Sequence, residues 1–401
     1  MIAIYNGQVI TEDNVFYGGL LIDGGKIHGV FKGDLPVGIP LTLQIDAEGR
    51  YISPGFVDIH IHGGGGREVN EAEPEAIKTL CGAHARHGTT SVLPTVMAAP
   101  PEQMKQAVLA IRTAAQTNTG AHILGAHLEG PYFAKSQRGA QSADCIKDPD
   151  PAEYMPLLDT WDGIKMMGVA CELPGALALG DELRRRGIAA SIAHSDAEYS
   201  QIAEAMNHGF SDVTHIYSGC SGVFRKNAYR YAGVIESGLL LDGLTVQVIA
   251  DGKHLPPTLL KLIYKCKGPD KISLITDALS FAGTPLEEGK NYRQKNGVSV
   301  VYEDGVMKLS DRQAFAGSVA VMADLVRNMT TLGEVPLHEA VTMASKTPAA
   351  VVGAKAKGRL APGCDADVIL FDKNIQVSCV MIQGVLVGEE QNIPDCAKGW
   401  L

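Results

Sequence analysis

What this chain lacks narrows what it can be. Its eight cysteines include no C-x-x-C pair and no tight cluster, so neither a cysteine zinc site nor a disulfide framework is expected. Basic residues are outnumbered. The 35 Lys and Arg stand against 45 Asp and Glu, a formal charge of −10, which argues against a nucleic-acid partner or a basic membrane-binding face. No run approaches the roughly 20 apolar residues that cross a bilayer. The opening Met1-Ile-Ala-Ile-Tyr-Asn-Gly-Gln lacks the basic segment and long apolar stretch of a secretory signal. The expectation is a soluble, cytoplasmic protein with reduced thiols. Internal repeats and low-complexity segments are also missing. Gly63-Gly-Gly-Gly66 has neither the G-x-G-x-x-G spacing of a dinucleotide-binding turn nor a helix signal directly after it.

What is present suits a large α/β enzyme. The chain has 401 residues, 45% of them hydrophobic, with 45 glycines, room for a barrel of about 250 residues plus an accessory unit. Apolar strand-like runs fall at 52–62, 90–95, 123–129, 164–170, 189–194, 213–215, 245–249 and 272–277. Segments between them, at 73–87, 102–115, 176–186, 198–207 and 257–265, carry apolar residues at three- and four-residue spacing. Eight βα units in series predict a closed parallel (β/α)8 TIM-like barrel, whereas an open doubly wound sheet would need a topological switch point. Both ends read differently. Short strands with hairpin signals at Asn6-Gly7, Asp23-Gly24-Gly25, Pro362-Gly363 and Gln383-Gly384 predict one small β-sandwich from residues 1–52 and 350–401, the barrel spanning 53–349. A further hairpin, 298–301 with 306–309 around Glu303-Asp304-Gly305, is expected after the last barrel strand.

The chemistry starts at Pro54-Gly-Phe-Val-Asp-Ile-His-Ile-His-Gly63. Alternate strand residues share a face, so Asp58, His60 and His62 point one way, and two imidazoles at that spacing suit one metal ion. Catalytic groups of such a barrel sit at the C-terminal ends of its strands. There the other strands present His127-Leu-Glu129, His194-Ser195, Thr214-His215, Asp251-Gly-Lys-His254 and Thr276-Asp277. Any one could be a capped turn or a satisfied core histidine; together they predict a metal site. Histidine and carboxylate ligands without thiolates suit Zn²⁺, Fe²⁺, Mn²⁺ or Co²⁺. Such an ion acidifies a bound water and polarises a carbonyl, and Asp277 stands where a proton acceptor is needed.

These residues resemble the N-acetylglucosamine-6-phosphate deacetylase family of the amidohydrolase superfamily. The likeness runs through nearly the whole chain: the first-strand motif, His127-Leu-Glu-Gly-Pro-Tyr132, Ala193-His-Ser195, Thr214-His-Ile-Tyr217, Ala250-Asp-Gly-Lys-His254, Ile275-Thr-Asp277, Ala316-Gly-Ser318 and Gly358-Arg-Leu-Ala-Pro-Gly-Cys-Asp-Ala-Asp367. The third-strand glutamate is the specific element, because other amidohydrolases use a carboxylated lysine on the fourth strand, and Lys165 begins that segment here. The resemblance implies that Glu129, His194 and His215 bind one metal and that His60 and His62, with Glu129 bridging, hold a second, zinc being the first choice. It implies Asp277 as general base and acid, His254 as the residue that contacts substrate and polarises the amide, and Ala316-Gly317 as a wall of the sugar pocket. A phosphate-binding arginine is expected just after the sixth strand, Arg225 in preference to Arg230, only one of the two needing to point inward. A homodimer is implied, with the phosphate contacted across its interface.

Two departures bear on substrate. Gly139-Ala140-Gln141 stands where the family usually has Gly-Ala-His, and Ser218-Gly219 where it usually has Asn-Ala. Both are expected to touch substrate and to leave the metal chemistry alone. They keep open a galacto epimer, an unphosphorylated sugar, or another amidohydrolase activity such as that of a D-aminoacylase. A catalytically silent scaffold is disfavoured because no metal ligand is lost. His28, His84, His87, His122, His208 and His338 read as structural.

Overall fold

The computed structural model describes residues 1–294 and 297–388. Its centre is a ring of eight strands: β1 (Phe56–Ile61), β2 (Thr89–Val96), β3 (Ala126–Glu129), β4 (Ile164–Val169), β5 (Ala189–Ile192), β6 (Phe210–Val213), β7 (Thr245–Val248) and β8 (Ile272–Leu274). Each pairs in parallel with the next. The ring closes where Ile61 bridges Ala278 and the Asp277 N–H donates to the His60 carbonyl at 2.9 Å. Every residue of β1 and β2 is buried, as befits parallel strands covered on both faces. Helices Pro74–Ala85, Pro101–Thr117, Pro151–Leu158 and Pro257–Lys267 open on proline, whose missing N–H costs nothing in the first turn. Ala176–Arg186 ends with three arginines and a left-handed Gly187, a favourable pairing of charge and cap.

The expected strand 52–62 is two strands. Tyr51–Pro54 joins the terminal sheet, and the break falls at Gly55, where an added Cβ would lie 2.2 Å from Thr90. The sixth strand runs earlier than expected, ending at Val213, so His215 stands beyond it with a positive φ of 25°. The periodicity did not reveal the helices Pro151–Leu158, with Pro156 inside it, and Val234–Leu240, which is only two turns long. Three more, Met322–Thr331, Leu337–Ala344 and Lys346–Val351, follow β8.

Both ends of the chain build one eight-stranded sheet, in the order Val385–Leu386, Val377–Ile382, Val368–Phe371, Tyr51–Pro54, Ile2–Ile10, Val15–Asp23, Lys26–Lys32, with Leu43–Asp46 also paired to Ile2–Ile10. Asn6-Gly7 is not a hairpin. It is an irregularity inside Ile2–Ile10, at which that strand exchanges Leu43–Asp46 for Tyr51 and Ile52 as its parallel neighbour. Ile4, Val9, Leu20, Ile52, Val368 and Met381 share a separate core. Residues 389–401 of the expected terminal unit lie outside the described residues. The insertion after β8 has three strands, Asn291–Arg293, Ser299–Glu303 and Val306–Leu309, instead of two. Its Val300 and Met307 pack with Leu279 and Ala316, which brings that hairpin to the barrel mouth. No helix among the described residues is long and apolar enough to cross a membrane.

Candidate metal centre and active-site cavity

Glu129, the last residue of β3, is the hub of the C-terminal face. Its Oε1 lies 3.3 Å from His60 Nε2, 3.3 Å from His194 Nε2 and 3.1 Å from His215 Nε2, and its Oε2 lies 3.4 Å from His62 Nε2. His60 and His62 face each other through Nε2 at 3.3 Å. Two groups of three donors result, His60, His62, Glu129 and Glu129, His194, His215, all buried. A tetrahedral ion with bonds of about 2.0–2.1 Å needs donors roughly 3.3–3.4 Å apart, close to the 3.1–3.4 Å between Glu129 and its four imidazoles and between His60 and His62.

The other ring nitrogens agree. His62 Nδ1 donates to the Thr95 carbonyl at 3.2 Å, His194 Nδ1 to the Gln137 carbonyl at 2.7 Å and His215 Nδ1 to the Ser218 carbonyl at 3.0 Å, while His60 Nδ1 meets Gln247 Oε1 at 3.1 Å. With Nδ1 so engaged, Nε2 is the nitrogen that each ring turns to the centre, the one a metal ligand uses. Gln247 is in turn tied to the buried Asp212 at 2.7 Å. Burial opposes charge on these groups, yet His62 is raised to about 9 by Asp277 and Glu129, Asp277 is held at about 2 by His62 and His60, and Glu129 lies well below the usual carboxylate range beside its imidazoles. The cluster thus attracts a positive charge to its middle, and the residues fit a divalent cation there.

Above the cluster lies a cavity of about 230 Å³. Its floor is His62, Glu129, His194, His215 and Asp277, whereas His60 is wholly buried beneath. Asp277 Oδ1 stands 3.1 Å from His62 Nε2 and 3.6 Å from His60 Nε2. Across the cavity, His254 gives Nδ1 to Asp251 at 2.7 Å and leaves Nε2 for a ligand. Although burial works against its charge, Asp251 is lowered by that imidazole. Ala140 and Gln141, Ser218 and Gly219, and Ala316 and Gly317 form the walls, with Phe315 against the His254 ring at a centroid distance of 4.9 Å.

The expected residues therefore converge, with two corrections. Gln141 and Ser218-Gly219 do not leave the metal centre alone: Gln141 Nε2 donates to Glu129 Oε2 at 2.6 Å, the Ser218 carbonyl holds His215, and Gly219 packs against His194. Arg225 and Arg230 are absent from the cavity lining. They lie exposed on a hairpin, Phe224–Lys226 with Tyr229–Tyr231, as directly opposed partners, so both point to one side instead of one pointing inward. Sequence reasoning missed Thr95, Gln137 and Gln247, the supports behind the imidazoles; only Gln247, a polar residue in an apolar strand, left a trace. His127 lies one pleat below Glu129, its ring 4.8 Å from that of His60, and its Nε2 has no hydrogen-bond partner among the described residues.

Comparison with known proteins identifies the family of the chain. The amidohydrolase family model matches residues 51–387. The chain is 32% identical to the N-acetylglucosamine-6-phosphate deacetylase of Lysinibacillus sphaericus over 338 residues, 83% of this chain and 84% of that one. It is also 32% identical to the N-acetylgalactosamine-6-phosphate deacetylase of Escherichia coli O157:H7 over 361 residues, covering 89% and 92%. The crystal structure of N-acetylglucosamine-6-phosphate deacetylase from Pasteurella multocida superposes with a TM-score of 0.89 at 28% identity, over 97% of this chain and all of the other. The chain belongs to the amidohydrolase family. Within it, the chain groups with the deacetylases of N-acetylated amino-sugar phosphates.

Proposed function

We propose that this protein hydrolyses the amide of N-acetylglucosamine 6-phosphate, giving acetate and glucosamine 6-phosphate, with one or two divalent cations held by Glu129, His194, His215 and by His60, His62, Glu129. Zinc is favoured, with Fe²⁺, Mn²⁺ and Co²⁺ as alternatives. The observation that carries the reading is the Asp277 carboxylate set 3.1 Å from His62 at the edge of the imidazole–carboxylate cluster. A cation in that cluster supplies Lewis acidity, lowering the pKa of a water and polarising the amide carbonyl. Asp277 takes the proton of the attacking water on its carboxylate and returns it to the leaving nitrogen. His254, steadied by Asp251, presents Nε2 to the carbonyl oxygen, and the Ala316-Gly317 wall bounds the sugar.

The phosphate is assigned to Arg225 and Arg230. They are adjacent on one face of an exposed hairpin, and neither has an ion-pair partner among the described residues, an arrangement that like-charge repulsion disfavours unless an anion joins it. Because the hairpin lies off its own cavity, a homodimer that brings it to the neighbour's cavity is part of the proposal. The seven cysteines in the described part are all free, which supports a cytoplasmic location. A second reading, the galacto epimer, is favoured by the Escherichia coli relative, equally identical over a larger share of this chain.

Acetate release from N-acetylglucosamine and N-acetylgalactosamine, each with and without 6-phosphate, tests all of this. The expected order puts N-acetylglucosamine 6-phosphate first. Arg225→Ala with Arg230→Ala should raise KM for the phosphorylated sugar about ten- to a hundred-fold, since charged hydrogen bonds contribute about 1.5–3 kcal/mol. Equal activity on both sugar forms would remove phosphate from the assignment.

A further inference from the structure

Gln141 faces a carboxylate, and its environment fixes how. The side chain is 5% exposed. The Ala98 N–H donates to Oε1 at 3.2 Å, which leaves Nε2 as the end that donates to Glu129 Oε2 at 2.6 Å. The two oxygens of Glu129 differ in company: Oε1 has three imidazoles within 3.3 Å, whereas Oε2 has His62 at 3.4 Å and the Gln141 amide. The direction of Oε2 toward His62 therefore rests on Gln141.

The loop carrying Gln141 is itself secured. Asp196 accepts from the Ser136 hydroxyl and, at 2.6 Å, from Gln137 Nε2; its own N–H donates to Glu172 at 2.6 Å; and Arg138 donates to the Gln141 carbonyl at 3.1 Å. Gln137 of the same loop supports His194.

We propose that Gln141 is a positioning residue for Glu129, one that sets the affinity of the His60, His62, Glu129 position for a divalent cation while leaving the Glu129, His194, His215 position nearly unaffected. The physical reason is that a hydrogen bond to one lone pair of a carboxylate oxygen holds the other along a fixed line, and loss of such a support costs a metal site about ten- to a hundred-fold in affinity. The proposal rests on the metal-dependent reading above.

Metal-free protein titrated with Zn²⁺ by calorimetry and with Co²⁺ by visible absorption tests it without substrate. The parent protein should bind two equivalents. Gln141→Met, similar in size but without a donor, should weaken one of them about ten- to a hundred-fold and reduce the corresponding Co²⁺ band, with the other equivalent at its parental value. Gln141→Asn, which draws the same amide back by one methylene, should weaken the same equivalent and stands in if the methionine variant does not fold. Gln141→His, which keeps an N–H donor, should restore it. Two equivalents of parental affinity in Gln141→Met, equal weakening of both, a tighter or additional equivalent, or a parent that binds only one would each overturn the proposal. A parent that binds none would end the metal-dependent reading itself, whereas a failed acetate assay with the metal result intact would end only the deacetylase reading.

Discussion

Replacing Gly219 by alanine drives a methyl group into a hydrogen bond that supports a proposed ligand. Gly219 has a φ of +57°, and a Cβ built on it would lie 2.7 Å from His194 Nδ1 and 3.0 Å from the Gln137 carbonyl oxygen. Those two atoms make the 2.7 Å bond that orients His194. The left-handed conformation costs an alanine about 1–2 kcal/mol, and breaking a bond whose partners are shielded from water adds about 1–3 kcal/mol. The expected loss is about 2–5 kcal/mol of metal-free stability, together with a ten- to hundred-fold loss of affinity at the Glu129, His194, His215 position. Gly187→Ala carries the backbone cost alone, because Gly187 has a φ of +69° with nothing within 4 Å of its built Cβ, so the difference between the two variants gives the cost of the broken bond. Denaturant titration of both variants and calorimetric Zn²⁺ titration give the comparison. Equal destabilisation by the two alanines, with Zn²⁺ affinity unchanged in Gly219→Ala, would refute the view that this glycine is required by His194.

Asp277→Asn should keep fold and metal content, since asparagine tolerates the φ of 49° at that position, while turnover falls by about two to four orders of magnitude; near-normal turnover removes Asp277 from proton transfer. Glu129→Gln should lose metal from both positions, measured as metal per chain after dialysis, and full occupancy would show that the hub is elsewhere. Lys357 is 5% exposed and lies 2.8 Å from both Asp365 and Asp367; because Asp365 also pairs with Lys26, Lys357→Met should leave the buried Asp367 without a cation and cost about 3–5 kcal/mol in denaturant titration, and a loss below 1 kcal/mol would mean that water reaches it.

The barrel was legible because parallel strands announce themselves as apolar runs and because polar residues at their C-terminal ends have no packing reason to be there. His60 and His62 could be paired from strand alternation alone, since His60 lies near the end of β1 and His62 directly follows its last residue. What was not legible depends on atoms that meet from distant parts of the chain. Nothing in Gly139-Ala140-Gln141 says that an amide twelve residues beyond Glu129 bonds back to it, or that the glycine of Ser218-Gly219 is wedged against His194. Asn6-Gly7 misled for a related reason. A left-handed residue serves a hairpin and a mid-strand irregularity equally well, and only the change of neighbour from Leu43–Asp46 to Tyr51 and Ile52 distinguishes them.

The interleaving of the two chain ends in one sheet has a consequence for synthesis. Tyr51–Pro54 lies between Ile2–Ile10, made shortly before it, and Val368–Phe371, made on the order of 300 residues later. At roughly 5–20 residues per second, the strand that leads into the barrel therefore leaves the ribosome with one edge unpaired for about 15–60 seconds. Throughout that interval the nascent chain presents an open β-edge, which is where a chaperone or a wrongly paired neighbour has its opportunity. Translation speed through the barrel thus governs how long the first fifty residues must remain soluble without their final partner.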